Sequence, residues 1–175
     1  MRYVRGLRFV NVVKFIQIFK PASPTRIYGF DFFETERNMT CAHPLDQECL
    51  DYHAQGWQTR EGLAETCRSR GFDRLELIAG NVCETTKTFA ETQLGTSISL
   101  FYIDADNHEG ALAILRNLYP LVVPNGIVAF DEYALTGFGE ANAVDAYFAG
   151  KAVKLQALPW ANTPSAFIVK ERSGS

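Results

Sequence analysis

Four mostly apolar segments of this 175-residue chain each lead into an acidic or amide side chain, and helical patterns separate them. The segments are "RIYGFD", "RLELIAGN", "SISLFYID" and "GIVAFDEY". A strand that is apolar along its whole length has both faces buried, as in a parallel sheet covered by helices. The pattern predicts an α/β fold with a doubly wound, mostly parallel sheet. Residues 154–160 and 165–171 predict an antiparallel hairpin that closes it.

Polar side chains at the ends of these strands predict a ligand site. In open parallel sheets, ligands bind beyond the carboxyl ends of the strands, which share one edge. The residues expected at this edge are Asp31, Gly80, Asn81, Asp104, Asp106, Asp131 and Glu132. A single acid after a strand is more often a helix cap, and Asp106 with Asn107 is equally suited to capping a helix that begins near His108. Repetition at four strand ends favours a site.

Composition and charge limit the class of partner. The chain is 47% apolar and 21% charged, which is typical of a soluble globular protein. Its net charge of -3 provides no basic surface for nucleic acid or for anionic lipid. We expect one domain over residues 1–175, with a small-molecule partner and neither a nucleic-acid nor a membrane partner.

The cysteines and the N-terminal segment predict a cytoplasmic protein. Cys41, Cys49, Cys67 and Cys83 form no CxxC pair, so reduced thiols are favoured over a zinc site. Arg and Lys residues interrupt the apolar stretch between about residues 4 and 19, and Pro21 follows it. This stretch predicts a helix of the folded body and not a signal peptide. Residues 32–57 form a long polar segment, which predicts a lid or a substrate loop.

The segments "RIYGFDFFE", "LELIAGN" and "SLFYIDADNHEGALAILRNLYPLVVPNGIVAFDEY" resemble class I S-adenosylmethionine-dependent methyltransferases. They are most similar to the macrocin O-methyltransferase-like group, and the resemblance runs from about Arg26 to Tyr133. It implies a Rossmann-like methyltransferase fold. It also implies a Mg²⁺-dependent O-methyltransferase that acts on a hydroxyl of a sugar or small natural product, and it is compatible with a homo-oligomer.

The resemblance implies a set of cofactor contacts. Asp31 would bind the ribose hydroxyls of S-adenosylmethionine, and Asp104 would also face the cofactor. The residues implied to lie against the adenine are Gly80, Asn81 and Val82. The family also has a first strand with a glycine-rich turn, of which only "YVRG", ending in Gly6, matches the tail. We therefore expect this strand and turn to be missing or truncated, which implies either a truncated sequence or an incomplete cofactor site.

The resemblance also implies a metal site and a proton acceptor. Asp104, Asp131 and Glu132 match the positions that hold a divalent cation, although Glu132 is more often Asp or Asn in the family. Carboxylate oxygens are ligands that suit Mg²⁺. Asp106 or His108 would then accept the proton of the acceptor hydroxyl.

Three alternatives compete with this interpretation. An Asp-x-Asp sequence after a strand also occurs in metal-dependent nucleotide-sugar glycosyltransferases, but that class does not explain "IYGFD" or "FDEY". Haloacid-dehalogenase-like phosphatases carry it near the start of the chain, whereas here it is central. A degenerate methyltransferase domain that only binds its ligand is favoured by the unrecognised glycine-rich turn.

Overall fold

The computed structural model describes residues 12–14, 18, 26–35, 42–46, 59–133 and 139–172. The chain divides into two compact units. The first comprises Met1–Asn38 and Gln55–Asn81, and the second comprises Met39–Ala54 and Val82–Ser175. The single domain over residues 1–175 stays a prediction.

The first unit contains a parallel pair of strands. Strand β1 (Ile27–Asp31) pairs with β2 (Leu75–Ala79), and Asp31 lies opposite Ala79. Helix α1 (Arg60–Arg68) connects the strands, and the Thr59 side chain caps it by accepting a hydrogen bond from the Gly62 N–H. These elements confirm the strand, helix and strand that the sequence predicts between residues 26 and 81.

The core of the first unit is apolar and includes part of the predicted N-terminal helix. Residues 12–14 and 18 are helical, and the rest of the predicted helix lies outside the described residues. The buried residues that form this core are Val13, Ile27, Phe33, Leu63, Ala64, Cys67, Phe72 and Leu77. Burial of the Val, Leu, Ile and Phe side chains among them contributes roughly 1.5–3 kcal/mol each relative to exposure.

The second unit contains a three-stranded sheet in the order β3-β4-β5. Its strands are β3 (Ile98–Ile103), β4 (Val122–Phe130) and β5 (Ala166–Val169), and its helices are α2 (Val82–Thr92), α3 (His108–Leu118) and α4 (Glu140–Phe148). Strands β3 and β4 are parallel, and β5 is antiparallel to β4. The largest fully buried apolar side chains of this unit are Ile103, Leu115, Val128, Phe130, Val144 and Ile168. The mostly parallel α/β architecture is as the sequence predicts.

The sequence Pro-Asn-Gly, which usually indicates a turn, lies inside strand β4. The pairing register of β3 and β4 shifts here, and Asn125 adopts a left-handed φ of 65°. A Cβ atom on Gly126 would lie 2.7 Å from Val122 Cγ1, so only glycine fits. The Asn125 N–H donates to the Lys170 carbonyl at 2.7 Å. This bond keeps the segment attached to the residue that follows β5, so the chain stays beside the sheet while its register with β3 shifts.

The predicted C-terminal hairpin is represented by one antiparallel bridge. Gln156 and Phe167 exchange two backbone hydrogen bonds of 2.9 and 2.8 Å. Pro159, which has no N–H, follows three residues later and limits further pairing. Strand β5 pairs along its whole length with β4. Within the described ranges, no helix has the length and apolar character needed to cross a bilayer.

Candidate functional site

Three acids meet beyond the carboxyl ends of β3 and β4. Asp104, Asp106 and Glu132 each offer a carboxylate oxygen, and these oxygens lie within 4.8 Å of one another. The strands are parallel neighbours with Ile103 opposite Phe130, so the residues that follow both strands emerge at one edge. The structure thus brings together two predicted metal ligands, Asp104 and Glu132, with Asp106, which the sequence predicts as a proton acceptor. We call these residues the three-acid cluster.

Asp106 has a strained backbone conformation within this cluster. Its φ is 61°, in the left-handed region that non-glycine residues rarely adopt. The Asn107 N–H donates to the Ala105 carbonyl at 2.6 Å, which closes a tight turn around Asp106. Such a conformation costs on the order of 1–3 kcal/mol and is concentrated at functional sites. The turn places Asp104 and Asp106 beside Glu132 despite their separation by a single residue.

Glu132 is the most buried acid of the cluster. This residue is 9% exposed, and its Oε2 atom is buried without a hydrogen-bond donor among the described residues. Burial, a hydrogen bond with Asp106 and the nearby charges of Asp104 and Glu140 raise the pKa of Glu132 to about 10. Hard oxygen donors with excess negative charge fit a divalent cation such as Mg²⁺.

Asp131 lies beside the cluster but is not one of its three members. It is fully buried, and its Oδ1 accepts a hydrogen bond from the Tyr102 hydroxyl. Its backbone continues the β3 pairing, because the Asp131 N–H donates to the Ile103 carbonyl at 3.0 Å. In the structure, Asp106 completes the cluster in the place that the sequence assigns to Asp131. The predicted role of Asp131 as a metal ligand stays a prediction.

Glu140 is a buried acid of this site that the sequence interpretation did not include. It is the first residue of α4 and is fully buried. Its Oε1 accepts from the Glu132 N–H at 3.1 Å, and its Oε2 accepts from the Ala105 N–H at 3.2 Å. Burial, together with the charges of Asp104 and Asp106, raises the pKa of Glu140 to about 8. The sequence signal was an acid in the first turn of a helix, which usually indicates only a favourable charge–dipole interaction.

His108 begins α3 next to the cluster. Its ring stacks on that of His43, with ring centres 5.0 Å apart, and its Nδ1 lies 3.9 Å from Glu109 Oε1. The His108 N–H donates to both carboxylate oxygens of Asp46, at 3.2 and 3.1 Å. Asn107 occupies the N-cap position without a capping side-chain bond. Asp46 therefore supplies the side-chain cap that was the alternative to a site role for Asp106 and Asn107.

Residues 42–46 of the long segment after β1 are thus anchored to α3. Asp46 is fully buried, and this burial raises the pKa of its carboxyl. A hydrogen bond with Glu109 raises the pKa further. Residues 42–46 lie in the region where the sequence predicts a lid or substrate loop. Residues 32–35 of that region are also described, and residues 36–41 and 47–57 lie outside the described residues.

The predicted ribose and adenine contacts lie at one edge of the β1–β2 pair. The Gly80 N–H donates to the Asp31 carbonyl at 2.9 Å, so Asp31 is adjacent to Gly80 and Asn81. Gly80 has a φ of 130°, which requires glycine. Oδ1 of Asp31 accepts from the Phe32 N–H at 2.7 Å. The cofactor contacts predicted for these residues stay predictions, as do those of Val82, which begins α2, and Asp104. Gly6 lies outside the described residues.

Comparison with known proteins gives matches among protein families and solved structures. The family model described as a methyltransferase domain matches residues 7–133. Apo CalS11, a TDP-rhamnose 3'-O-methyltransferase of calicheamicin biosynthesis, superposes with a TM-score of 0.68 at 24% identity, covering 90% of this chain and 65% of CalS11. The O-methyltransferase NovP gives a TM-score of 0.75 at 17% identity, covering 92% of this chain and 66% of NovP. No curated protein matches the sequence significantly.

A third structure, the methyltransferase PaMTH1 of Podospora anserina with SAH bound, gives a TM-score of 0.53 at 16% identity, covering 99% of this chain and 80% of PaMTH1. All three identities are low, so these structures support the fold alone. The chain spans 65% of CalS11 and 66% of NovP. Since the family model matches well over half of the chain, and these structures share the Rossmann-like fold, the chain belongs to the methyltransferase domain family.

Proposed function

We propose that this chain is an S-adenosylmethionine-dependent O-methyltransferase that acts on a sugar hydroxyl with the help of a divalent cation. The observation that carries the proposal is the three-acid cluster at the ends of β3 and β4. Membership of the methyltransferase family supports the reaction. CalS11, which methylates TDP-rhamnose, supports a sugar acceptor, and SAH-bound PaMTH1 supports the methyl donor.

Asp104, Asp106 and Glu132 would hold the cation. Their oxygens are hard donors, and the raised pKa of Glu132 reflects a charge that a cation would offset. A bound Mg²⁺ lowers the pKa of a hydroxyl and fixes its orientation. With Asp106 assigned to the cation, His108 is the predicted residue left to accept the proton of the acceptor hydroxyl.

Asp31, Gly80 and Asn81 would bind the methyl donor. Asp31 ends β1, and a carboxylate there can accept both hydrogen bonds of a ribose cis-diol. The open backbone of Gly80 allows a flat ring to approach closely. The donor supplies a methyl group that its sulfonium already activates, so positioning of the acceptor dominates the chemistry left to the protein.

Two measurements on the purified chain, each with and without Mg²⁺, test the proposal. Calorimetric titration with S-adenosylmethionine measures donor binding, and an activity assay measures methyl transfer to TDP-sugars. We expect donor binding in both conditions and methyl transfer to TDP-sugars only with Mg²⁺. Full transfer in excess chelator would contradict the metal role. Binding of the donor without transfer to any sugar would indicate a domain that only binds its ligand.

The test needs a matched pair of variants. Glu132→Gln removes a cluster carboxylate, and Glu76→Gln removes an exposed one from β2. We expect the first variant to lose Mg²⁺-dependent transfer and the second to keep it. Equal transfer by both variants would show that the cluster does not serve the reaction.

A further inference from the structure

We propose that Glu140 is a positioning residue that fixes the geometry of the three-acid cluster. This inference rests on the proposed function, because it assigns a role in assembling the metal site of that function. Glu140 is not a cluster member, and its carboxylate binds the backbone N–H groups of Glu132 and of Ala105, which lies between Asp104 and Asp106. It therefore acts through the backbone that carries Asp104, Asp106 and Glu132.

The carboxylate of Glu140 joins the two segments that carry the cluster. Its Oε2 accepts from the N–H of Ala105, the residue between Asp104 and Asp106. Its Oε1 accepts from the N–H of Glu132 itself. The two segments are thus bonded to one side chain, which fixes the spacing between them.

The start of α4 provides a third bond to the same backbone. The Gly139 N–H donates to the Asp106 carbonyl at 3.2 Å. The Gly139 bond and the bond between Ala105 and Glu140 hold Asp106 in its left-handed conformation from both sides. Strain of this kind persists only where surrounding contacts over-determine the backbone. The first residues of α4 provide these contacts.

The chemistry of the side chain indicates why an acid is present. Glu140 is fully buried beside acids, where a carboxylate is unfavourable and an apolar side chain would pack without that penalty. Two N–H donors need two acceptor oxygens. A glutamine offers only one acceptor oxygen. Its NH₂ group is a donor and cannot accept a hydrogen bond from the second backbone N–H. An aspartate is one methylene shorter, so it cannot keep both bonds without movement of the backbone.

Mn²⁺ affinity, measured by calorimetry, tests the inference with the Glu140→Gln variant. We expect at least a tenfold weaker Mn²⁺ affinity than in the parent, with S-adenosylmethionine affinity unchanged. The control is Glu84→Gln, which removes an exposed acid from the first turn of α2 and should keep parental Mn²⁺ affinity. A melting curve without metal accompanies each variant.

The outcomes separate three cases. A lower melting temperature with parental Mn²⁺ affinity would show a merely structural residue and overturn the inference. A parent chain that binds no Mn²⁺ would overturn the metal part of the proposed function, and this inference with it. If Glu140→Gln does not fold, Glu140→Asp replaces it, and parental Mn²⁺ affinity in that variant overturns the inference equally.

Discussion

The Tyr102 hydroxyl donates a hydrogen bond to Asp131 Oδ1, so a side chain of β3 holds the buried acid that follows β4. Hydrogen bonds to charged groups contribute about 1.5–3 kcal/mol. We expect Tyr102→Phe to lower the free energy of unfolding by about that amount, measured by urea denaturation. Tyr133→Phe is the control, because its hydroxyl bonds the exposed Asp145. Equal losses in both variants would show that Asp131 does not depend on Tyr102.

The edge at which the site lies could be predicted from the sequence. Apolar strands that end in acids show where carboxyl ends meet, and the structure places Asp104 and Glu132 together there. Local patterns carry this information, because the strand period and the parallel register determine which residues emerge together. The choice between Asp106 and Asp131 could not be made, because it depends on the conformation at Asp106 and on the position of the Tyr102 hydroxyl.

The supporting contacts of the site could not be predicted. Glu140 accepts a hydrogen bond from the N–H of Ala105, 35 positions earlier in the chain. Asp46 accepts one from the N–H of His108, 62 positions later. Such side-chain-to-backbone bonds leave no periodic pattern, because one polar residue in a turn or at a helix start has many possible partners. The irregularity of β4 at Asn125 could not be predicted for a related reason, since Pro-Asn-Gly most often indicates a turn.

Substitution of Gly139 by alanine should destabilise the second unit. A Cβ at this position would overlap Asp46 Oδ1 and lie 2.7 Å from the His108 backbone nitrogen. Overpacking of this kind lowers the free energy of unfolding by roughly 3 kcal/mol. The matched control is Gly95→Ala, where a Cβ meets nothing within 4 Å and the strain of a positive φ costs only about 1 kcal/mol. A smaller loss for Gly139→Ala than for the control in urea denaturation would contradict the close approach.

The net contribution of Asp46 to the stability of the fold should fall as pH rises. Burial raises the pKa of Asp46, with a further increase from Glu109, while the His108 N–H and the charge of His43 oppose it. A carboxyl whose pKa is higher in the folded than in the unfolded chain stabilises most below its unfolded value and loses this contribution as pH rises through its folded value. The unfolded pKa is about 4.

The comparison of the parent chain with Asp46→Asn measures this effect. We expect the difference in their free energies of unfolding to be larger near pH 4 than at pH 7, because the side chain of the variant does not titrate. Urea denaturation at both values provides the measurement. A difference that grows with pH would indicate that the ionised form of Asp46 is the stabilising one.

Replacement of Asp31 should weaken binding of the methyl donor with little effect on the fold. Asp31→Asn keeps an oxygen that can accept from the Phe32 N–H but loses the charge proposed to bind the ribose. Loss of a charged hydrogen bond corresponds to roughly a tenfold to hundredfold weaker affinity for S-adenosylmethionine. Asp73→Asn, an exposed acid of the same unit, is the control. Parental affinity of Asp31→Asn in calorimetry would remove this residue from the proposed site.

The last prediction compares the two acids that compete for the third position of the metal site. Asp106 has a carboxylate oxygen within 4.8 Å of those of Asp104 and Glu132, whereas Asp131 accepts the bond of Tyr102. Asp106→Asn replaces a charged ligand by a neutral amide, and we expect at least a tenfold loss of Mn²⁺ affinity. Asp131→Asn leaves the cluster intact, so we expect it to lose less Mn²⁺ affinity than Asp106→Asn. A larger loss in Asp131→Asn than in Asp106→Asn would return Asp131 to the ligand set that the sequence implies, with Asp106 free to act as the proton acceptor.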